Sequence, residues 1–293
     1  MDAMTWFSSP TATTAALGEV GYLADAATAT TAYLAGALEK PLLIEGPAGV
    51  GKTELAKSVA AATGSSLVRL QCYEGLDEAR ALYEWNYSKQ LLRIQAARGD
   101  DGSGPGWDET HDDIFGEEFL LTRPLLTAIR RDEPTVLLID EVDKTDVEVE
   151  ALLLEVLSDF QVTIPELGTV TATRRPFVVL TSNAARELSE ALKRRCLYLH
   201  LDYPDADRER EIVTSRVPEL DDRVARQLVD LVVRLRELEL KKAPSIAESI
   251  DWARTLVALE VGTLDQAAVT ATLGAVLKHA TDIERATREL KLA

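Results

Sequence analysis

The chain has 293 residues, 46% of them apolar and 28% charged, which reads as an ordinary soluble globular protein with material for one large or two modest domains. A net charge of −17 leaves no excess of Lys and Arg to displace counterions from phosphates, so a general nucleic-acid binder is not expected, although a local basic groove stays open. Two cysteines, Cys72 and Cys196, are too few for a disulfide framework or a thiolate metal cage and read as small core residues at strands. The first residues, MDAMTWFSSPTATTA, carry no basic start and no sustained apolar run, so no secretory signal is expected. No stretch has the length of a membrane span, and the expected residence is the cytoplasm.

In chain order, Pro41-Leu42-Leu43-Ile44 is a short all-apolar run of the kind a buried parallel strand shows. It leads into Gly46-Pro47-Ala48-Gly49-Val50-Gly51-Lys52-Thr53, which fits the spacing G-x-x-x-x-G-K-[ST]. TELAKSVAAAT follows, with Leu55, Val59 and Ala62 near one helical face. A strand, a glycine loop and a helix start are what phosphate binding needs: backbone N–H groups curl around the oxygens and the helix N-terminus adds partial positive charge. In ATP, the β- and γ-phosphates would be reached by Lys52, and the Thr53 hydroxyl would ligate Mg²⁺, with Glu54 next along the same site. The other reading is a chance glycine-rich turn.

SSLVRLQC (65–72) reads as a second strand, Thr135–Ile139 as a third, Pro176–Leu180 as a fourth and Cys196–Leu199 as a fifth, with helical patterns between them, notably VEVEALLLEVLSDF. Apolar strands alternating with helices predict an α/β fold with a parallel sheet covered on both faces. Ligands on such sheets bind beyond the carboxyl ends of the strands, where the glycine loop lies. Past Tyr203-Pro204 the strand signals stop, and helices are expected over DADREREIVTSRV, DDRVARQLVDLVVRLRELEL, IAESIDWARTLVALE and a last one near 264–278. The expected division is 1–204 for a nucleotide-binding domain and 205–293 for a small α-helical one. GDDGSGPG (99–106) is expected to be a mobile loop.

Asp140 and Glu141 follow the third strand directly, in TVLLIDEVD. An acid there can hold the Mg²⁺ that Thr53 also touches, and Glu141 is then placed to polarise a water against the γ-phosphate. Standing alone, such a pair could simply be favourable acids at a helix N-terminus. Thr181-Ser182-Asn183 ends the fourth strand, so the Asn183 amide is expected near the same water, the alternative being a capping Asn for the next helix. Arg194 and Arg195 precede the fifth strand and are either solvated or serve in trans, where an arginine from a neighbouring subunit neutralises charge on the transferring phosphoryl group.

These elements, GPAGVGKTELA, VLLIDEVDK, FQVTIPELGTVTATRRPF, TSN and RRCLYLHLDYP, in this order resemble an AAA+ ATPase, and more narrowly its MoxR branch. YEGLDEARALYEWNYSKQLL, FGEEFLLTRPLLTAI and KKAPSIAESIDWARTL are similar to MoxR-type proteins associated with carbon monoxide dehydrogenase maturation (CoxD-like). The resemblance implies a P-loop NTPase three-layer sandwich with an N-terminal helical segment, an insertion between the second and third strands (73–119), a hairpin (160–172) and an all-α lid. It implies a ring, usually hexameric, with ATP bound between subunits. It also implies remodelling of a protein client, often with a von Willebrand factor A (VWA) partner. By position, Lys52 and Thr53 match the first motif, Asp140 and Glu141 the second, Asn183 sensor 1, and Arg195, before Arg194, the trans-acting finger. Ala247 stands where many MoxR-like proteins carry the sensor 2 arginine; Arg254, two turns further on, is the weaker substitute.

Alternating Phe160, Val162 and Ile164, the turn at Pro165–Gly168, then Val170 and Ala172 give a hairpin signal. In the family such a hairpin points toward the pore or partner face; alternatively it only covers the sheet. The insertion holds Tyr73, Tyr83, Trp85, Tyr87, Trp107, Phe115 and Phe119, which either grip a partner or form the insertion's own core. Tyr22 either flanks the adenine or packs against the lid. The expected function is Mg²⁺-dependent ATP hydrolysis that remodels a protein client, with no nucleic-acid partner. The rival readings are a nucleotide switch without remodelling and a DNA-acting AAA+ protein; a small-molecule kinase ranks below both.

Overall fold

The structure is a computed structural model that describes residues 6–97 and 114–290. The glycine-rich 99–106 segment and Trp107 lie outside the described residues. The chain divides into two compact units, one made of Met1–Val20, Ala24–Ile44 and Ala56–Leu199, the other of Gly21–Leu23, Glu45–Leu55 and His200–Ala293.

In the first unit, α1 (Pro10–Glu19) and α2 (Ala26–Ala37) open the chain, each started by a side-chain cap, Ser9 and Asp25 respectively. A five-stranded sheet follows in the order β2-β5-β8-β1-β9. Its strands are β1 (Leu42–Glu45), β2 (Ser66–Gln71), β5 (Thr135–Asp140), β8 (Phe177–Ser182) and β9 (Leu197–His200). β5 lies parallel to both β2 and β8, with Gln71 opposite Asp140 and Ile139 opposite Leu180. Every residue of β5 and β8 is buried, which is why both read as unbroken apolar runs rather than alternating ones. α3 (Lys52–Thr63) connects the glycine loop to β2.

Between β2 and β5 the chain builds α4 (Glu78–Ala81), β3 (Tyr83–Trp85), α5 (Tyr87–Ala97), β4 (Leu120–Thr122) and α6 (Pro124–Arg130). β3 and β4 pair antiparallel. Trp85 and Phe115 meet edge to face at 5.1 Å, and both Trp85 and Phe119 are buried in the same apolar core as Leu70, Leu125 and Ile139. These aromatics therefore extend the sheet's core instead of forming a separate one, whereas Tyr73 and Tyr87 are exposed.

α7 (Val147–Asp159) buries Val149, Leu153, Val156 and Leu157, the i, i+4, i+7, i+8 stripe of a helix on a core. Phe160 takes φ +52°, ends the helix, and turns the chain into the hairpin of β6 (Gln161–Ile164) and β7 (Gly168–Thr171). Val162 and Ile164 point into the core and Gln161 and Thr163 outward, as the alternation predicts. α8 (Glu190–Arg195) precedes β9.

In the second unit, α9 (Ala206–Arg216), α10 (Asp222–Arg236), α11 (Ile246–Ala258), α12 (Gln266–Val276) and α13 (Ala280–Glu289) share one core, centred on Val213, Leu228, Trp252 and Leu273. The sequence reading stopped at 278. α13 is periodic but mostly polar, and the one apolar residue that it fully buries is Ala286, so little apolar content marks it in the sequence. Glu209 of α9 is fully buried and accepts a two-pronged ion pair from Arg236 of α10, with Nη2 to Oε1 at 2.8 Å. Ser249 of α11 donates to the same carboxylate at 2.7 Å, and the Arg236 guanidinium stacks 4.4 Å from the Tyr203 ring. Three helices are thus tied to one buried charge. No helix among the described residues is long and apolar enough to cross a membrane.

Candidate functional site

The glycine loop belongs to the second unit, where it packs on the start of α11. Gly46 has φ +154°, and a Cβ there would lie 1.9 Å from the Leu201 carbonyl oxygen. Gly49 has φ +76°, and a Cβ there would lie 2.3 Å from Ser245 Oγ. Both positions are closed to any side chain, so the loop is held by backbone approach, the condition for N–H groups to wrap a phosphate. Lys52 is buried, and its ammonium donates to the Gly46 and Pro47 carbonyls at 2.7 Å each, drawn over its own loop. Thr53 is half-buried on the first helical turn; Glu54 beside it accepts from Arg216 at 2.7 Å. Ala48 is exposed, and Val50 is buried.

Three other residues of this unit border the loop. Tyr22 lies with its ring edge 3.7 Å from where a Gly51 Cβ would stand. Ser245 caps α11 reciprocally with Glu248, a capping box whose apex faces Gly49. Ala247 is the third, its Cβ 3.7 Å from the same built position at Gly49. Arg254 is exposed on α11 and pairs with Asp251 at 3.5 Å. Burial pushes the Glu248 carboxyl up, but hydrogen bonds from Lys242 and Ser245 outweigh it and hold the group below its ordinary value.

The acids belong to the first unit, where β5 and β8 end. Thr181 Oγ1 donates to Asp140 Oδ1 at 2.6 Å and accepts from the Glu141 N–H at 2.9 Å, so one hydroxyl fixes both acids. Asp140 is buried, and its other oxygen takes the Arg69 guanidinium at 2.5 Å. Glu141 adopts φ +60°, a left-handed backbone uncommon for a residue with a side chain, and turns its carboxylate out of the strand line. That carboxylate accepts from Gln71 Nε2 at 2.8 Å, Lys144 Nζ at 2.8 Å and Asn183 Nδ2 at 3.3 Å. The hydrogen bond that Lys144 donates to Glu141 in turn raises the pKa of Lys144.

Glu141 precedes a short 3-10 turn (Val142–Lys144) and makes no side-chain cap to it, and the cap of α8 is Ser189, not Asn183. Asn183 is therefore not the cap of the next helix, whereas Glu141 does stand at the N-terminus of the 3-10 turn. Arg194 and Arg195 end α8 and are both exposed. Cys72 is buried beside the acids; burial first, then Asp140, Asp143 and Glu141, push its thiol up to about 12, and burial does the same for Cys196.

Sequence reasoning missed Arg69 and Gln71. Their signal was present: two polar residues at period 2 at the carboxyl end of an otherwise apolar strand, the end where ligands bind. Thr53 in the second unit and Asp140 in the first each offer a hard oxygen of the kind that Mg²⁺ prefers.

The profile of the AAA domain family (dynein-related subfamily) matches residues 41–196. The chain belongs to that family: its strands, glycine loop and terminal acids are those of an AAA+ ATPase. An uncharacterized protein of Staphylococcus haemolyticus is 26% identical over 229 residues, covering 76% of this chain and 77% of its own length. The chaperone protein ClpB 2 of Parasynechococcus marenigrum is 38% identical over 143 residues, which are 49% of this chain and 13% of ClpB 2. Among solved structures, the Thermotoga maritima RuvB Holliday junction branch migration motor has a TM-score of 0.44 at 17% identity, over 86% of this chain and 62% of that one.

Proposed function

We propose that the protein is a MoxR-type ATPase that hydrolyses ATP in a ring, usually a hexamer, and remodels a protein client. The observation that supports hydrolysis best is the hydrogen-bonded cluster Asp140–Thr181–Glu141–Asn183 at the ends of β5 and β8. Backbone N–H groups of 46–53 and the Lys52 ammonium bind the phosphates, for which Lys52 leaves its carbonyl partners. Glu141 takes the proton of the attacking water, and the Asn183 amide orients that water and the carboxylate together. Thr53 and Asp140 would hold Mg²⁺, which supplies positive charge to the phosphate oxygens when bound. Tyr22 flanks the base. Arg195 of a neighbouring subunit, with Arg194 beside it, stabilises charge in the transition state. In this reading 1–204 form the nucleotide-binding domain and 205–293 the lid.

The client class rests on the MoxR-like segments, YEGLDEARALYEWNYSKQLL above all. They support a role beside a VWA partner in metalloenzyme maturation of the carbon monoxide dehydrogenase kind. The fold alone does not carry that step. A nucleotide switch without remodelling is favoured by one observation: three side-chain donors already occupy the Glu141 carboxylate, and a water must displace one of them to be activated there. Stimulation of turnover by a client separates the two.

The test is Glu141→Gln, assayed for binding of a fluorescent ATP analogue and for phosphate release. Removing the base should cost on the order of 10²–10⁴ in turnover with affinity kept. Turnover at the parental rate would remove Glu141 from the mechanism.

A further inference from the structure

We infer that Asp143 is the positioning residue of the site. Its buried carboxylate captures the backbone of the turn that carries Asn183 and so sets the Asn183 amide against Glu141. The inference rests on the hydrolytic reading of Glu141 and Asn183 and adds the element that aligns them.

Asp143 sits in the 3-10 turn two residues past Glu141 and is 4% exposed. Its Oδ2 accepts from the Asn183 N–H at 3.2 Å and the Ala185 N–H at 3.0 Å. The two amides converge because Ala184 between them takes φ +57°, and the Ala184 N–H turns away to Ser182 Oγ at 3.0 Å. Alternating backbone hands of this kind make a concave anion seat, and here a carboxylate of the same chain fills it. A closed circuit results. Covalent backbone runs from Glu141 to Asp143, the carboxylate binds the Asn183 backbone, and Asn183 Nδ2 returns to Glu141 Oε1 at 3.3 Å.

Two features argue that this arrangement serves alignment and not stability alone. Asp143 Oδ1 is buried with no hydrogen-bond partner among the described residues, so the carboxylate bears a desolvation cost to keep Oδ2 on the two amides. In addition, the far end of the same turn has its own fastening. Glu150 accepts from the Ser189 N–H at 2.9 Å and pairs with Arg186, whose guanidinium also donates to the Thr145 carbonyl at 2.7 Å. Glu150 fastens the far end of the turn, and Asp143 fastens the backbone at the end where Asn183 stands.

The experiment compares Asp143→Ala and Asp143→Asn, each alone and combined with Asn183→Ala, with Glu150→Gln as the control on the far end of the turn. Amide hydrogen exchange over 180–189 without nucleotide is read first, then affinity for a fluorescent ATP analogue, then turnover. Losing a carboxylate that holds two amides should speed exchange at Asn183 and Ala185 and lower turnover, each about tenfold, with affinity kept. In the Asn183→Ala background the same change should cost almost nothing, because the group being aligned is gone. Asp143→Asn keeps one carbonyl oxygen for both amides and should restore most of the turnover; it also serves if the alanine variant does not fold. An equal loss in both backgrounds, or unchanged exchange at the two amides, would overturn the inference. If the parent proves not to hydrolyse ATP, the functional reading fails on turnover while exchange still reports whether Asp143 holds the turn.

Discussion

The Gln71 side-chain amide donates to Glu141 Oε2 at 2.8 Å, across the β2–β5 register that sets Gln71 opposite Asp140. Lys144 donates to the same oxygen at 2.8 Å and Asn183 to the other, so the carboxylate meets three donors before any water. A water must displace one of these donors to reach the carboxylate. Gln71→Ala should therefore raise the rate with nucleotide alone, by about three- to tenfold for one hydrogen bond of ordinary strength, and leave nucleotide affinity unchanged. Steady-state phosphate release with a parallel binding titration checks it. A fall in rate would mean that Gln71 holds Glu141 in its working position.

The buried ion pair of the second unit gives a stability prediction. Arg236→Ala leaves the Glu209 carboxylate fully buried and uncompensated, with Ser249 its remaining donor. Urea unfolding should lose about 3–5 kcal/mol, the usual cost of removing one partner of a buried pair. Replacing both, as Glu209→Leu with Arg236→Met, should recover much of that loss. If the double variant were as unstable as the single one, packing by the Arg236 stem, not charge, would hold these helices together.

Much of this was legible in the sequence because it depends on local pattern. GPAGVGKT announces itself by spacing, β5 and β8 by unbroken apolar runs, and the Phe160–Ala172 hairpin by period-2 alternation. What stayed hidden depends on register between distant segments. That Gln71 faces Glu141, that Thr181 joins Asp140 to Glu141, and that Asp143 seats the Asn183 turn all follow from β2, β5 and β8 lying side by side with fixed offsets. The insertion was opaque for a different reason. Its aromatics carry no period, and their burial is decided by the main core that they join. α13 was lost because it is mostly polar and carries few apolar residues.

Acid should loosen the turn that carries Asn183. Burial pushes the Glu150 carboxyl up, but the Ser189 hydrogen bonds and the Arg186 guanidinium outweigh it and hold the group below its ordinary value of 4.5. A folded pKa below the unfolded one contributes stability that is fully present above 4.5 and is lost as pH falls through the folded value. The stability gap between the parent and Glu150→Gln should thus be widest near neutrality and shrink below pH 4.5. Denaturant melts at a series of pH values measure it, and a constant gap would show that Glu150 contributes only as a neutral hydrogen-bond acceptor.

The account's central claim is a site completed by a neighbouring copy, and ATPase rate against protein concentration tests it most directly, for the parent and Arg195→Ala, with mass read by light scattering. The account predicts that specific activity climbs with concentration and follows a hexamer-sized species. In the variant it should fall by about 10³-fold or more while binding persists, the loss expected for a trans-acting arginine. A monomer that hydrolyses ATP equally well with and without Arg195 would contradict it.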